Sequence, residues 1–232
     1  MGLLVEPPAA SVPTAALCSA PAATPKPAAA QDGRVYVVYD ELHKAIANSL
    51  AQLQKAGWDA PDYLLAISGG GLIPARILRS VLRRGTKQGG CAAIKVIGLE
   101  LYNDELDGRP SDAGVRRTQW LEPGSTSLAG RHILVVDEVD DSRATLEYAV
   151  RELKADVAAE EAAAAAAGLP PPGPTHLGVF MLHCKQREKV GRLPEDVPQF
   201  VAQEVEGNPW LVYPWDAPDI EEHNQLASQG RQ

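Results

Sequence analysis

Apolar runs with little polar alternation recur along the chain from residue 63 onward, and each is short enough to form one buried β-strand. The runs cover residues 63–67, 92–99, 133–136 and 176–182. Strands of this kind are typical of parallel sheets that are covered by helices on both faces, because neither face meets water. The pattern therefore predicts a parallel sheet in the interior of the protein.

Segments with apolar residues at helical spacing lie between the predicted strands. Asp40 is placed to cap a first helix, and Gly57 is placed to end it. Pro74 can occupy the first turn of a second helix, and a third helix runs from Arg143 through the alanines to Gly168. The apolar positions of the first two helices are Leu42, Ile46, Leu50 and Leu53, and Ile77, Leu78, Val81 and Leu82. Strands that alternate with helices predict the α/β class, with a Rossmann-like parallel sheet flanked by helices.

Residues 1–33 are rich in alanine and proline and show neither the strand period nor the helix period. We expect a disordered extension there, followed by one domain over residues 34–232. A targeting role is an alternative because acidic residues are scarce, but Lys26 and Arg34 are too few basic residues for a typical transit peptide.

Composition and charge narrow the classes of function. The chain has 232 residues, 45% of them hydrophobic, and a formal net charge of -8. An acidic chain lacks the basic surface that nucleic acids need, and no apolar run approaches the roughly 20 residues that cross a bilayer. The three cysteines are odd in number and far apart, which predicts neither a disulfide framework nor a zinc site and favours a reducing compartment, the cytoplasm. The five histidines show no metal-binding spacing either.

Two loops after predicted strands have the composition of ligand-binding loops, since ligands of open α/β sheets bind at the carboxyl ends of the strands. The first is Ser68-Gly69-Gly70-Gly71, where missing side chains allow backbone N–H groups to approach an anion. A glycine turn of this kind is also compatible with a simple tight turn.

The second loop follows the strand of ILVVDEVDDSRATL, residues 133–146, and contains four carboxylates. One interpretation is a solvated turn in which Asp141 or Ser142 caps the next helix. The acidic strand end of a nucleotide triphosphatase is a second interpretation, but the chain contains no G-x-x-x-x-G-K-[ST] loop to accompany it. In a third, Asp137 and Glu138 bind sugar hydroxyls while residues 141–145 bind a phosphate at a helix N-terminus, which together suit a ribose 5-phosphate.

Four motifs, found in the same order along the chain as in a known family, favour the third of these interpretations. ILVVDEVDDSRAT resembles the phosphoribosyl-pyrophosphate signature of the type I phosphoribosyltransferases, and ISGGGLIPARILRS resembles their pyrophosphate loop and its helix. LHCK, 182–185, and NPWLVYPWD, 208–216, are similar to their purine-binding segments. The likeness is strongest to the fungal-type cytosolic hypoxanthine, guanine and xanthine phosphoribosyltransferases, which share RTQWL and the phrase YPWDA-DIEEH.

The resemblance implies a magnesium-dependent transferase that joins a 6-oxopurine to the ribose of phosphoribosyl pyrophosphate and releases pyrophosphate. It also implies a small hood over the purine, at about residues 198–232, and assembly into homodimers or tetramers. The alternative is a regulator that kept this fold to sense phosphoribosyl pyrophosphate or a nucleotide and lost catalysis.

Roles for the loop residues follow from the same resemblance. Asp141 becomes the catalytic group beside purine N7, and Asp137 and Glu138 hold the ribose hydroxyls. The residues implied to bind the 5-phosphate are Ser142, Arg143, Ala144 and Thr145, and those implied to bind pyrophosphate are Ser68, Gly69 and Gly70.

The resemblance also assigns the base and the metal. Lys185 donates to O6 of the purine, Trp210 stacks on the ring, and the backbone around Leu211 reads the 2-position. Asp216 completes the purine segment and, with Glu138, is the expected magnesium ligand. Without the resemblance, a lysine at a strand end is usually only solvated, and a tryptophan such as Trp210 is more often part of a core.

Two departures from the common motif stand out. Arg143 occupies a position where glycine is usual, and Ser68 stands where the pyrophosphate loop often begins with a lysine or arginine. Compensating charge is expected either from Arg76 or from the polar segment 102–118, whose length suits a lid that excludes water. Its Arg116 and Arg117 are candidates for lid residues or for plain surface charges.

Overall fold

The computed structural model describes residues 30, 32–85, 92–103, 109–110, 114–122 and 124–230. Most of the predicted disordered extension therefore lies outside the described residues, as does part of the predicted lid. The helices are α1 (Tyr39–Asn48), α2 (Leu50–Lys55), α3 (Leu72–Gly85), α4 (Ala144–Ala166) and α5 (Ile220–Gln229). Within the described part of the chain, none of these helices combines the length and the apolar character that a membrane span requires.

Six strands form the central sheet, in the order β6-β3-β2-β7-β8-β9. They are β2 (Tyr63–Ser68), β3 (Ala93–Glu100), β6 (Arg116–Gln119), β7 (His132–Asp140), β8 (His176–Gln186) and β9 (Gln199–Glu206). All neighbours pair in parallel except β6, which runs antiparallel to β3 at one edge. This architecture confirms the predicted α/β class and its mostly parallel sheet.

Both faces of the sheet are covered, as the unalternated apolar runs predicted. Leu64 on β2 packs on the side of α1 and α3, whereas its neighbour Leu65 packs on the side of α4. The two faces of β7 divide in the same way, with Leu134 on the first side and Val135 on the second. Each fully buried aliphatic side chain of this kind contributes about 1.5–3 kcal/mol to the free energy of folding.

The first predicted helix differs from the structure at its start and in its middle. Val38, which has an extended conformation, is the N-terminal flanking residue of α1, so Asp40 lies inside the first turn instead of capping it. The segment is also divided at Ser49, whose hydroxyl donates to the carbonyl of Ile46 at 2.7 Å. Gly57, which has a φ of +73°, follows the end of α2 and confirms the predicted stop.

A second, small sheet pairs the two ends of the domain. Strand β1 (Arg34–Tyr36) runs parallel to β10 (Trp210–Val212). Helix α5 is tied to the same region because Nε2 of His223 lies 2.8 Å from the carbonyl oxygen of Val37. A hood that begins at about residue 198, as predicted, would include β9, which is an edge strand of the central sheet.

A short antiparallel pair lies in the predicted lid. It consists of β4 (Tyr102–Asn103) and β5 (Arg109–Pro110). Beyond it, Arg116 and Arg117 belong to the edge strand β6, where Arg116 donates to Glu100 at 2.6 Å and Arg117 pairs with Glu152. The expectation that this segment acts as a lid stays a prediction.

Candidate active site

Three neighbouring parallel strands, β2, β7 and β8, end at one edge of the sheet and bring the predicted loops together. The carboxylates of residues 137–140 lie on β7 itself, which continues past the strand end predicted at residue 136. Strand β8 is also longer than predicted and includes Lys185. Because Asp140, the last residue of β7, is in register with Cys184, the residue that follows it, Asp141, lies beside Lys185.

Asp141 lies between two cations. Its carboxylate accepts from Nζ of Lys185 at 2.9 Å and from a guanidinium nitrogen of Arg187 at 2.8 Å. Partial burial alone would raise the pKa of Asp141, but the hydrogen bonds and charges of Lys185 and Arg187 outweigh it and lower the pKa below the usual 3.8. The carboxylate is therefore held in its ionised form near neutral pH.

Lys185 is a buried cation with two protein acceptors. Besides Asp141, its ammonium donates to Oδ1 of Asn208 at 3.0 Å, and the residue as a whole is only 6% exposed. An ammonium has three donors, so one remains for a ligand after these two bonds. The buried position makes a ligand oxygen a favourable third acceptor, because a desolvated donor without a partner is costly.

The segment predicted to form a hood is attached to the same edge of the sheet through Tyr213. Its hydroxyl donates to the carbonyl oxygen of Glu138 at 3.1 Å and lies 2.9 Å from Nδ1 of His183. Burial lowers the pKa of His183 to about 4, so the imidazole is neutral near pH 7. The Tyr213 ring also stacks on Trp215 with a centroid separation of 4.5 Å.

The other predicted purine residues lie on the hood segment that follows Asn208. Trp210 is 66% exposed, so its ring is free to form one side of a binding site. Leu211 is in register with Val35 of β1, and burial raises the pKa of Asp216. Among the described residues, no hydrogen bond or ion pair joins these three side chains to Asp141, and Asn208 provides the link from their segment to Lys185.

Asp137 and Glu138 are the acids predicted to bind ribose, and Glu138 lies against the glycine loop at Gly70. Asp137 is buried, and this burial together with the neighbouring charge of Glu138 raises its pKa well above the usual range. A Cβ atom at Gly70 would collide with the Glu138 side chain, so the absence of a side chain there permits the approach. The peptide bond between Ser68 and Gly69 is cis.

The loop after β7 contains an arginine at a position where glycine is usual. Arg143 has a φ of +69°, in the left-handed region where glycine is the usual residue, and it immediately precedes α4. Its guanidinium donates from two nitrogens to Asp140, at 3.1 Å and 2.7 Å. Asp140, which had no role predicted from the sequence, is therefore the partner of Arg143.

Several residues of the site were missed by the sequence interpretation. Arg187 and Lys189 follow Lys185 at intervals of two, and Asn208 precedes the aromatic segment, but none belongs to a motif that predicts its contact. Arg76, which was expected to supply charge to the pyrophosphate loop, donates to Ser80 at 2.7 Å one turn further along α3.

Gly71 is expected to be essential for stability. A Cβ atom there would lie 2.5 Å from the carbonyl oxygen of Val136 and 2.6 Å from that of Ile67. Gly71→Ala should therefore destabilise the protein by about 1–3 kcal/mol, as overpacking does. Thermal unfolding checks this, with Gly173→Ala as the control because nothing lies within 4 Å of a Cβ there. Equal Tm values for both variants would contradict the steric account.

Known proteins resemble this chain over most of its length. A family model of the phosphoribosyl transferase domain matches residues 38–169. Xanthine phosphoribosyltransferase 1 of Saccharomyces cerevisiae is 40% identical over 209 residues, which cover 85% of this chain and 97% of that protein. Hypoxanthine-guanine phosphoribosyltransferase of Schizosaccharomyces pombe is 38% identical over 200 residues, covering 82% of this chain and 93% of that protein.

A solved structure shares the fold over most of the chain. It is a hypothetical protein from Neisseria gonorrhoeae with bound ppGpp, which is 36% identical and has a TM-score of 0.67. The match covers 85% of this chain and 97% of that one. On the strength of the domain match and the two enzyme relatives, the chain belongs to the phosphoribosyltransferase family, as its sequence signature predicted.

Proposed function

We propose that the protein is a purine-salvage phosphoribosyltransferase that converts a 6-oxopurine and phosphoribosyl pyrophosphate to the nucleoside 5'-monophosphate and pyrophosphate. The observation that carries the proposal is the contact of 2.9 Å between Lys185 and Asp141. This contact brings together two groups. One is a buried donor that suits a purine oxygen, and the other is a carboxylate at the start of the loop proposed to bind the sugar phosphate. The names of the relatives, xanthine and hypoxanthine-guanine phosphoribosyltransferases, support the same substrates.

Phosphoribosyl pyrophosphate would occupy the edge of the sheet in an extended position. Its 5-phosphate would lie at residues 142–145, at the N-terminus of α4, where backbone N–H groups of the first turn and the helix dipole favour an anion. Asp137 and Glu138 would accept hydrogen bonds from the ribose hydroxyls. The pyrophosphate would lie at Ser68, Gly69 and Gly70, which are adjacent to Glu138 through the close approach at Gly70.

The base would be held between the sheet and the hood. Lys185 would donate its remaining hydrogen to O6, Trp210 would stack on the ring, and the backbone at Leu211 would face the 2-position. A purine with an amino group at position 6 would face the ammonium with a donor, which leaves both groups unpaired at a cost of about 1–3 kcal/mol. Oxopurines are therefore the expected substrates.

We infer that Asp141 acts mainly as a fixed negative charge beside N7. Because Lys185 and Arg187 outweigh the effect of burial and lower its pKa, the carboxylate is a weak proton acceptor but stays ionised throughout the reaction. A persistent charge stabilises the cationic ribosyl centre that forms as the glycosidic bond breaks or forms. It can also accept a hydrogen bond from N7 of the base.

Magnesium fits the oxygen donors of this site. Among the residues that the structure describes, no three His, Cys, Asp or Glu side chains form a metal cluster. Magnesium commonly takes one or two carboxylates together with substrate oxygens, so Glu138 and Asp216 suffice as protein ligands. The bound cation would screen the charge of the pyrophosphate leaving group.

The rival function, a sensor without catalysis, explains less of the site. A sensor needs the phosphate loop and the base site, but it has no use for a carboxylate held ionised by two cations between them. A cytoplasmic location and assembly into homodimers or tetramers complete the proposal. The free buried thiol of Cys184 is compatible with a reducing compartment.

An assay with four bases tests the proposal. Protein, magnesium and phosphoribosyl pyrophosphate are mixed with hypoxanthine, guanine, xanthine or adenine, and base consumption is followed by absorbance. We expect turnover of at least one oxopurine and at least tenfold lower kcat/KM for adenine, since about 1.4 kcal/mol corresponds to a factor of ten. Binding of phosphoribosyl pyrophosphate without consumption of any base would favour the sensor.

A further inference from the structure

The ammonium of Lys189 is engaged by residues 140 and 141 through two hydrogen bonds and an ion pair. Its Nζ lies 2.6 Å from the carbonyl oxygen of Asp140, 3.0 Å from that of Asp141 and 3.3 Å from the Asp140 carboxylate. Its side chain is only 14% exposed. Two of its three donors are hydrogen-bonded to carbonyl oxygens, and the ion pair holds the ammonium beside the Asp140 carboxylate.

The residues after Lys189 hold the next carbonyl of the same loop. The N–H groups of Val190 and Gly191 both donate to the carbonyl oxygen of Ser142 at 3.0 Å. Gly191 also packs directly on the loop, because a Cβ atom there would lie 2.6 Å from the carbonyl oxygen of Arg143. Three successive carbonyls, at residues 140, 141 and 142, are therefore fixed by the segment 189–191.

Fixing the carbonyls also fixes the N–H groups. In a trans peptide, the C=O of one residue and the N–H of the next point in opposite directions. With the carbonyls of residues 140–142 directed toward segment 189–191, the N–H groups of Asp141, Ser142 and Arg143 are directed away from it. They are thus aligned on the side of the loop that faces the proposed phosphate.

The Arg143 side chain belongs to the same group of contacts. Its guanidinium donates to the Asp140 carboxylate, whose side chain is fully buried and also contacts Lys189. Its charge is therefore used to neutralise a buried carboxylate, and what the residue offers the loop is its left-handed backbone.

We propose that Lys189, acting with Gly191, is a positioning residue that aligns the N–H groups of the phosphate loop for the 5-phosphate of the ligand. The inference rests on the proposed function for the identity of that ligand. Lys189 acts through the backbone of Asp140 and Asp141 and does not touch the phosphate. The ion pair between the Asp140 and Arg143 side chains also stabilises this loop.

Two variants test the alignment by different physical means. Lys189→Met removes the ammonium but keeps the length of the side chain, whereas Gly191→Ala leaves every charge in place and displaces the loop by its methyl group. We expect both to weaken the binding of GMP, which contains a 5-phosphate, by about tenfold or more. Their affinity for inorganic pyrophosphate should remain within about twofold of the parent, since that ligand lies at the glycine loop. Calorimetry measures both ligands.

Kinetics provide a second readout in the active protein. Both variants should raise the KM for phosphoribosyl pyrophosphate more than they change kcat, and Lys189→Arg should recover part of the loss because a guanidinium retains several donors. Lys154→Met is the matched control. It removes an ammonium that is paired with Asp196 at 2.6 Å, away from the phosphate loop.

The outcomes separate the alternatives. Weaker GMP binding in Lys189→Met alone, with Gly191→Ala unchanged, would mean a direct charge contact and would overturn the proposal. Equal losses for GMP and pyrophosphate, or unchanged binding of both, would overturn it as well. If Lys189→Met fails to fold, Gly191→Ala and Lys189→Arg decide. A parent protein that consumes no base but binds GMP contradicts the proposed function and leaves this binding test intact.

Discussion

Replacement of Asp141 by Asn is expected to lower kcat by about 10²–10³, the range seen when a group that stabilises transition-state charge is removed. The amide keeps the shape of the side chain but carries no charge, so it cannot stabilise the cationic ribosyl centre. The substitution would also leave Lys185 and Arg187, which lie 2.9 Å and 2.8 Å from the carboxylate, without their anionic partner. The KM for phosphoribosyl pyrophosphate should change much less than kcat.

The pH dependence adds a second readout for this residue. Lys185 and Arg187 outweigh the effect of burial and lower the pKa of Asp141 below 3.8, so the carboxylate stays ionised as the pH falls toward that value. Protonation of Asp141 should therefore not limit kcat between about pH 5 and pH 8. A loss of activity centred above pH 5 that disappears in Asp141→Asn would contradict this expectation.

Asp196→Asn is the matched control for the same change of chemistry. Asp196 is an exposed carboxylate that also pairs with a lysine, Lys154, and it lies outside the proposed site. We expect its kcat to equal that of the parent protein. Similar losses of kcat in both variants, or a loss of folding in Asp141→Asn, would show that Asp141 has a structural role.

Much of the fold could be predicted because its strands are buried on both faces. Such strands appear in the sequence as unbroken apolar runs, and the runs around Leu64 and Leu134 led directly to adjacent strands of the sheet. Strand ends were harder to predict. Residues 137–140 continue β7 because their backbone pairs with β8, about 44 residues further along the chain. Their polar side chains do not predict this pairing.

Residues that act through long-range contacts were missed. Arg187, Lys189 and Asn208 have no motif of their own, and their positions follow from the pairing of β7 with β8 and from the hood. Asp40 has the residue type of a helix cap, yet the extended conformation of Val38 places the start of α1 one residue before it. Local propensity suggested the cap, and the tertiary packing of the segment decided where the helix begins.

Arg143 and Asp140 of the phosphate loop are each unfavourable alone, and they stabilise each other as a pair. Arg143 in a left-handed conformation is less favourable than glycine, and Asp140 is a carboxylate with almost no exposure. Each residue alone would destabilise the loop, but the guanidinium neutralises the buried carboxylate at 2.7 Å. The sequence shows the two residues three positions apart, and only the structure shows that they form a pair.

Replacement of Lys185 by Met is expected to lower kcat/KM for oxopurines by roughly 10- to 100-fold, as the loss of a charged hydrogen bond costs about 1.5–3 kcal/mol. Methionine fills a similar volume in the buried position but cannot donate to O6. Discrimination against adenine should shrink at the same time, because the variant no longer presents a donor to the 6-position. Steady-state kinetics with guanine, hypoxanthine and adenine measure both effects.

Binding of phosphoribosyl pyrophosphate separates a role in base recognition from a general one. Lys185 contacts the side chains of Asp141 and Asn208, and among the described residues it makes no hydrogen bond to the backbone of the phosphate loop or to the glycine loop. Its loss should therefore leave the affinity for phosphoribosyl pyrophosphate within about twofold, below the tenfold change that 1.4 kcal/mol would produce. Parallel losses for this ligand and for every base would instead mean that Lys185 mainly holds β8 and the hood together. Selective loss for oxopurines would identify its buried ammonium as the group that chooses the base.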